Sequence, residues 1–256
     1  MSSLTVEMLP VLSDNYVYLI HDPASGTTGV VDPAVAAPVE ARLSARGWSL
    51  DWILSTHHHA DHTGGNLELK EATGCQIAGP GKDAARIPGI DIKLAEGDRF
   101  ELGEAEAEIF ETPGHTSGHI SFWFSGSNAL FCADTLFSLG CGRLFEGTPA
   151  DMWSSLQKFA HLPDEALVYC GHEYTAANAR FALSVDPDNN ALQARAAEVD
   201  KQRAAGEPTV PTTLGLERAT NPFLRSDDPA IRRQLGLESA VEVDVFAEIR
   251  RLKDSF

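Results

Sequence analysis

The sequence predicts an α+β unit over residues 1–174 and an all-α unit over residues 175–256. Three observations predict it. Strand-like and helix-like segments alternate through the first two thirds of the chain. Histidines and aspartates follow the ends of several strand-like runs, where open α/β sheets place their binding sites. From Tyr174 onward Ala, Arg, Gln and Glu dominate, as they do in helices.

The first elements are an opening hairpin, carried by Val6 and the run 16–20, with Asp14 and Asn15 near its turn. Residues 29–33 form a strand that ends in the carboxylate of Asp32. Residues 38–46 read as a helix, because a proline stands at the start and Gly47 just past the end. The apolar run 52–55 suits a buried strand, and 67–73 forms the short helix beyond the polar loop that follows. Strands are expected at 122–124, 129–133 and 167–171. Residues 151–162 form a helix with Met152, Leu156 and Phe159 on one face. In the second unit a strong helical pattern covers 189–205, and Pro208 and Pro211 interrupt it. Further helices are expected at 228–235 and 241–253.

Bulk properties narrow the functional classes. A chain of 256 residues buries enough surface to need no staples. The formal charge of −17 opposes non-specific nucleic-acid binding, which relies on Lys and Arg at phosphates. It also means that an anionic ligand needs a local positive patch. No apolar run approaches the roughly 20 residues of a membrane helix, and the N-terminus lacks a secretory pattern. Cys75, Cys132, Cys141 and Cys170 show no CxxC spacing and read as reduced thiols of a cytoplasmic protein.

The most informative stretch is Thr56-His57-His58-His59-Ala60-Asp61-His62-Thr63-Gly64-Gly65-Asn66. Burying several imidazoles and a carboxylate demands hydrogen bonds or a metal. Imidazole suits zinc and iron, and carboxylate suits harder cations. Side chains of neighbours in an extended segment point apart, so His57, His59, Asp61 and His62 cannot all serve one ion. Two adjacent ions use all four. Further donors stand in similar settings: His115 in TPGHTSGH, Asp134 after the run 129–133, and His172 after YCG. Gly64 and Gly65 are expected to relax the backbone into the helix. Neither GxxxxGK[ST] nor GxSxG is present.

The motifs THHHADHTGGN (56–66), TPGHTSGH (112–119), FCADTLFSLGCGRLFEG (131–147), YCGHEYT (169–175) and NPFLR (221–225) span most of the chain. Together they resemble the metallo-β-lactamase superfamily, and within it the glyoxalase II branch, the hydroxyacylglutathione hydrolases. The resemblance implies an αββα sandwich with an all-α C-terminal domain. It implies one ion at His57, His59 and His115, a second at Asp61, His62 and His172, and Asp134 between them. Asp61 and Asp134 are the implied catalytic carboxylates, and the implied cofactors are two divalent ions, zinc first, with iron or manganese as alternatives. The implied substrate is an S-2-hydroxyacylglutathione thioester, typically S-D-lactoylglutathione, attacked by water activated between the ions. Glutathione contacts map to Arg143, Phe145, Tyr174, Arg250 and Lys253. Arg250 and Lys253 stand three apart and share a helix face, supplying the positive patch. The family often has Lys at the position of Arg143 and Tyr at that of Phe145. Arg keeps the charge in a different geometry, and Phe145 removes a hydroxyl donor.

His58 is expected to point away from the ions, and His119 to support or pack. His21 and His161 carry no assigned role. Asp32 either orients a ligand imidazole or serves the turn before Pro33. Competing readings are a lactonase or β-lactamase, a persulfide dioxygenase with a single iron, and a non-catalytic binding protein of the same fold. The complete donor set argues against the last. A monomer without nucleic-acid or membrane partners is expected.

Overall fold

The computed structural model describes residues 3–256. Its frame is a pair of six-stranded sheets packed face to face. The first sheet runs in chain order: β1 (Thr5–Val11), β2 (Asn15–His21), β3 (Thr28–Val31), β4 (Trp52–Leu54), β5 (Gln76–Pro80) and β6 (Ile92–Leu94). The second comprises β7 (Arg99–Leu102), β8 (Ala105–Glu111), β9 (Ile120–Phe124), β10 (Ala129–Ala133), β13 (Leu167–Cys170) and β14 (Thr212–Thr213). A small hairpin, β11 (Leu136–Phe137) with β12 (Gly140–Cys141), stands apart.

The helices are α1 (Ala37–Arg46), α2 (Ala60–Thr63), α3 (Asn66–Thr73), α4 (Pro149–Gln157), α5 (Thr175–Val185), α6 (Asn190–Ala204), α7 (Leu214–Thr220), α8 (Pro229–Leu235) and α9 (Glu242–Ser255). α1 and α3 cross over between the parallel strands β3, β4 and β5, and α4 between β10 and β13. Among the described residues no helix is long and apolar enough to cross a membrane. All four cysteines are free and buried.

The period-two alternation of strands divides the core. In β2, Tyr16, Tyr18 and Ile20 join the layer between the sheets, whereas Val17 and Leu19 face α1 and α3. Val31 against Val30 and Leu54 against Ile53 repeat the split. The outer face of the second sheet is covered by Met152 and Leu156 of α4 and by Phe181, Phe246 and Ile249 of α5 and α9. Thr148 and Asp151 form a reciprocal cap at the start of α4, worth about 1 kcal/mol.

The expected helices at 38–46, 67–73, 228–235 and 241–253 lie within one to three residues of those observed. The helix expected at 151–162 starts earlier and tightens into a 3₁₀ turn over Lys158–His161. The C-terminal third is helical but also supplies β14, which pairs antiparallel with β13. The strands β5 to β8 were not visible in the alternation of segments.

Strands β3, β4, β10 and β13 all release the chain at one rim of the sandwich. Asp32, His57, Asp134 and His172 follow those four ends. Gly64 and Gly65 keep ordinary helical backbone angles. They serve close approach: a Cβ on Gly64 would lie 2.5 Å from the Ala34 carbonyl oxygen, and one on Gly65 2.8 Å from that of Pro33. Tight packing, not backbone relaxation, explains them.

Candidate metal centre and substrate pocket

The seven expected donors converge at that rim. His57, His59 and His115 place one ligand atom each within 4.8 Å of one another, and so do Asp61, His62 and His172. Asp134 lies between the groups, with Oδ2 3.2 Å from His115 Nε2 and 3.5 Å from His172 Nε2, and Oδ1 3.5 Å from His62 Nε2. Gly171 makes this approach possible, because a Cβ there would lie 2.5 Å from Asp134 Oδ1.

The hydrogen bonds behind the ring fix the tautomers. Asp32 Oδ2 accepts from His62 Nδ1 at 3.0 Å, the Arg143 carbonyl from His115 Nδ1 at 2.8 Å, and Asp14 Oδ1 from His172 Nδ1 at 2.8 Å. Thr56 Oγ1 donates its own proton to Asp32 at 2.7 Å, so it accepts from His57 Nδ1 at 2.9 Å. All four imidazoles therefore carry a proton on Nδ1 and direct Nε2 to the centre. This is the arrangement by which outer groups orient metal-binding histidines.

The inward-facing nitrogens crowd together. His57 Nε2 lies 3.2 Å and His115 Nε2 3.1 Å from His59 Nδ1, and His62 Nε2 lies 3.2 Å from His172 Nε2. Donors about 2.0–2.1 Å from one tetrahedral ion stand about 3.3–3.4 Å apart. Lone pairs at such separations repel unless a metal ion or a proton lies between them. Asp134 Oδ1 is buried and has no hydrogen-bond partner. The residues thus fit divalent metal binding.

Electrostatics point the same way. Burial, then His62, His119 and His115, push the His57 pKa well below its ordinary value. Burial and His115 lower that of His59, and burial lowers that of His115. Burial opposes charge on His62, but Asp134, the hydrogen bond to Asp32 and Asp61 raise its pKa to about 9. Burial raises and His62, then His172, lower the Asp134 pKa, and the net shift holds the carboxyl well below the usual range. Without metal, a proton on His62 substitutes for the cation that the carboxylates attract.

The remaining histidines separate cleanly. His58 turns away and donates from Nδ1 to Asp83 at 3.1 Å. His119 stacks on His57 with centroids 4.9 Å apart and hydrogen-bonds Thr112 and Thr135 through Nδ1. His21 stacks on Trp48, away from the centre. Asp32 takes the orienting role, accepting also from the Thr56 amide at 2.8 Å. Sequence reasoning missed Asp14 as the acceptor behind His172, and Asn15, whose Nδ2 donates to Asp61 Oδ2 at 3.0 Å. Their position in the hairpin turn, beside strands that end at the rim, was the available signal.

A cavity of about 380 Å³ opens over the donors, and Arg143, Phe145, Tyr174, Arg250 and Lys253 all line it. Phe145 packs against His59 and His115, and Tyr174 stacks on His172 at 4.8 Å. Arg250 lines the cavity as expected of the positive patch, but its guanidinium is tied into the protein. It is buried, donates to the Cys141 carbonyl at 2.9 Å and to Asp254 at 2.8 Å, and lies over the Phe223 ring. Asp254 also approaches Arg143 at 3.5 Å. Lys253 rests over Phe181 and Phe256, and burial, then Arg250, lower its pKa to about 8.

Comparisons with known proteins identify the family. The family model for the metallo-beta-lactamase superfamily matches residues 12–172, and that for the hydroxyacylglutathione hydrolase C-terminus matches residues 173–256. The chain is 58% identical to a hydroxyacylglutathione hydrolase of Methylococcus capsulatus, over 99% of both chains. It is 56% identical to one of Rhodospirillum rubrum over the full length of both. The crystal structure of ETHE1 from Myxococcus xanthus shares the fold, with a TM-score of 0.69 at 23% identity over 96% of this chain and 90% of that one. The structure of TTHA1623 in a di-iron-bound form has a TM-score of 0.59 at 26% identity, covering 86% of this chain and 100% of that one. With the two family models together matching residues 12–256 and full-length relatives above half identity, the chain belongs to the hydroxyacylglutathione hydrolase family, the glyoxalase II branch of the metallo-β-lactamase superfamily.

Proposed function

We propose that this protein hydrolyses S-2-hydroxyacylglutathione thioesters, typically S-D-lactoylglutathione, to glutathione and a 2-hydroxy acid. The observation that carries the reading is a seven-donor centre opening into a pocket whose far wall holds Arg143 and Lys253. Residues 1–174 supply the chemistry, and residues 175–256 supply Lys253 and Arg250 for substrate binding. The pocket is complete within one chain, which supports action as a monomer.

His57, His59 and His115 would hold one divalent ion and Asp61, His62 and His172 a second, with Asp134 placed beside both. Zinc suits this imidazole-rich set first, with iron or manganese as alternatives. When bound, such a pair lowers the pKa of a shared water and polarises a carbonyl. Asp134 Oδ1, buried and without a hydrogen-bond partner, is left free as a donor atom at the centre. Asn15 fixes Asp61 at the pocket side of the centre. In the metal-free protein both carboxyl groups are held below the ordinary pKa range despite burial, chiefly by His62; in the loaded centre the ions would take over that role. As ionised donors they would hold the centre without storing the water's proton. The water oxygen bonds to the thioester carbonyl carbon, and the carbon–sulfur bond breaks. One water proton ends on the departing sulfur, and the product acid ionises in solvent.

Burial raises the Tyr174 pKa, so its hydroxyl keeps its proton and remains a donor to the glutathione moiety. Phe145 supplies an apolar wall beside His59. Arg143 and Lys253 offer positive charge to the glutathione carboxylates in an otherwise acidic protein. Arg250 shapes the wall through Cys141. The test is purified protein assayed on S-D-lactoylglutathione beside a lactone and nitrocefin, with metal analysis of the same sample. Preferential turnover of the thioester is expected; faster turnover of the lactone or nitrocefin overturns the assignment.

A further inference from the structure

Arg86 belongs to none of the motifs, yet its guanidinium joins three loops of the site. Nη1 pairs with Glu146 Oε1 and lies 3.2 Å from His58 Nε2. Nη2 donates to Asp83 Oδ1 at 2.6 Å, to Glu146 Oε2 at 3.0 Å and to Ser117 Oγ at 3.1 Å. Since His58 Nδ1 donates to Asp83, its Nε2 is the acceptor for Arg86. Glu146 Oε2 also accepts from the Ser117 amide at 2.8 Å. His58, Asp83 and Glu146 lie close enough to hold an ion, but the guanidinium already fills the space between them.

Each joined loop carries part of the site. His58 stands between His57 and His59. Ser117 lies two residues beyond His115. Glu146 follows Phe145, whose amide donates to the His115 carbonyl at 3.2 Å, and Gly147 donates to the Gly114 carbonyl at 3.1 Å. Segment 143–147 thus folds over the His115 loop and presents Arg143 and Phe145 to the pocket. Besides Arg86, the Ser117 hydroxyl donates to Glu146 at 2.9 Å and Asp254 approaches Arg143 at 3.5 Å. A fork with five donors suits such a junction, and a lysine does not reproduce it.

We propose that Arg86 is a positioning and specificity-determining residue: through Glu146 it holds segment 143–147 over the pocket, and so sets the fit of the thioester. The substrate in this statement rests on the function proposed above. The guanidinium and Glu146 are both partly exposed, so their pairing contributes little to global stability.

The test compares metal-loaded wild type with Arg86→Gln, Glu146→Gln, the double variant and Arg86→Lys, each checked for metal content. Expected is a KM for S-D-lactoylglutathione about tenfold higher in each single variant, with kcat within about threefold and an unshifted melting temperature. The double variant should be no worse than either single one, because both changes break one latch, and Arg86→Lys should not restore KM. Wild-type KM in both single variants, or penalties that add in the double variant, overturn the proposal. Amide hydrogen exchange of residues 143–147 separates the two readings. If the wild type fails to turn over any thioester, faster exchange in Arg86→Gln still supports the latch, and unchanged exchange refutes it.

Discussion

Replacing Asp32 by asparagine tests how the protein presents its histidines. The carboxylate accepts three hydrogen bonds, from the Thr56 amide at 2.8 Å, the Thr56 hydroxyl at 2.7 Å and His62 Nδ1 at 3.0 Å. Asparagine keeps the shape but offers one oxygen. If that oxygen faces the Thr56 amide, the NH₂ faces His62 Nδ1. The imidazole must then accept at Nδ1 and carry its proton on Nε2, the atom 3.2 Å from His172 Nε2. The lone pair meant for the ion is lost. If the amide flips, the buried Thr56 N–H loses its acceptor, at about 1–3 kcal/mol. Changes behind metal ligands lower metal affinity about 10–100-fold, or about 1.4–2.7 kcal/mol. The assay is titration of metal-free protein against a chromophoric chelator, with the ion held by Asp61, His62 and His172 expected to weaken more. Wild-type affinity for both equivalents in Asp32→Asn refutes the tautomer argument.

Three further outcomes follow from the same geometry. His62, raised from 6.5 to about 9 in the metal-free protein, must lose its proton to bind an ion, so affinity for the second ion should climb up to about tenfold per pH unit until pH reaches about 9. By linkage its contribution to metal-free stability is fully present below pH 6.5 and is lost as pH rises through about 9; pH-dependent denaturant titrations read it, and a flat profile contradicts it. Lys253, lowered to about 8 by burial and Arg250, should lose its grip on a carboxylate above that pH, so KM should rise there in the wild type but not in Lys253→Ala. Asn221 donates to the Phe137 and Gly140 carbonyls at 3.1 and 3.0 Å and is fully buried; Asn221→Ala leaves buried acceptors unmet and should lower stability by about 1–3 kcal/mol, measured by denaturant midpoint.

What the sequence revealed was local. The donors of 56–62 sit in one strand-to-helix turn, Asp134 directly follows an apolar strand and His172 stands one residue beyond another, so residue type and flanking pattern exposed them. Strand β8 stayed hidden because Ala105-Glu106-Ala107-Glu108 alternates small helix formers with charges, and β-propensity reflects packing more than composition. Asp14, Asn15, Arg86, Glu146 and Asp254 are ordinary polar residues until tertiary folding brings them to the rim. Arg250 shows the reverse. Its i, i+3 spacing with Lys253 was legible, but its burial against Cys141 and Phe223 was not. Gly64 and Gly65 were visible as glycines, while the carbonyls of Ala34 and Pro33 that require them come from another loop.

The paired centre is tested most directly by adding metal stepwise to metal-free protein while following thioester hydrolysis and bound metal together. Activity should rise to its plateau at two equivalents per chain, because the seven donors divide into two sets that share Asp134. A plateau at one equivalent, with no change on adding the second, would contradict the account.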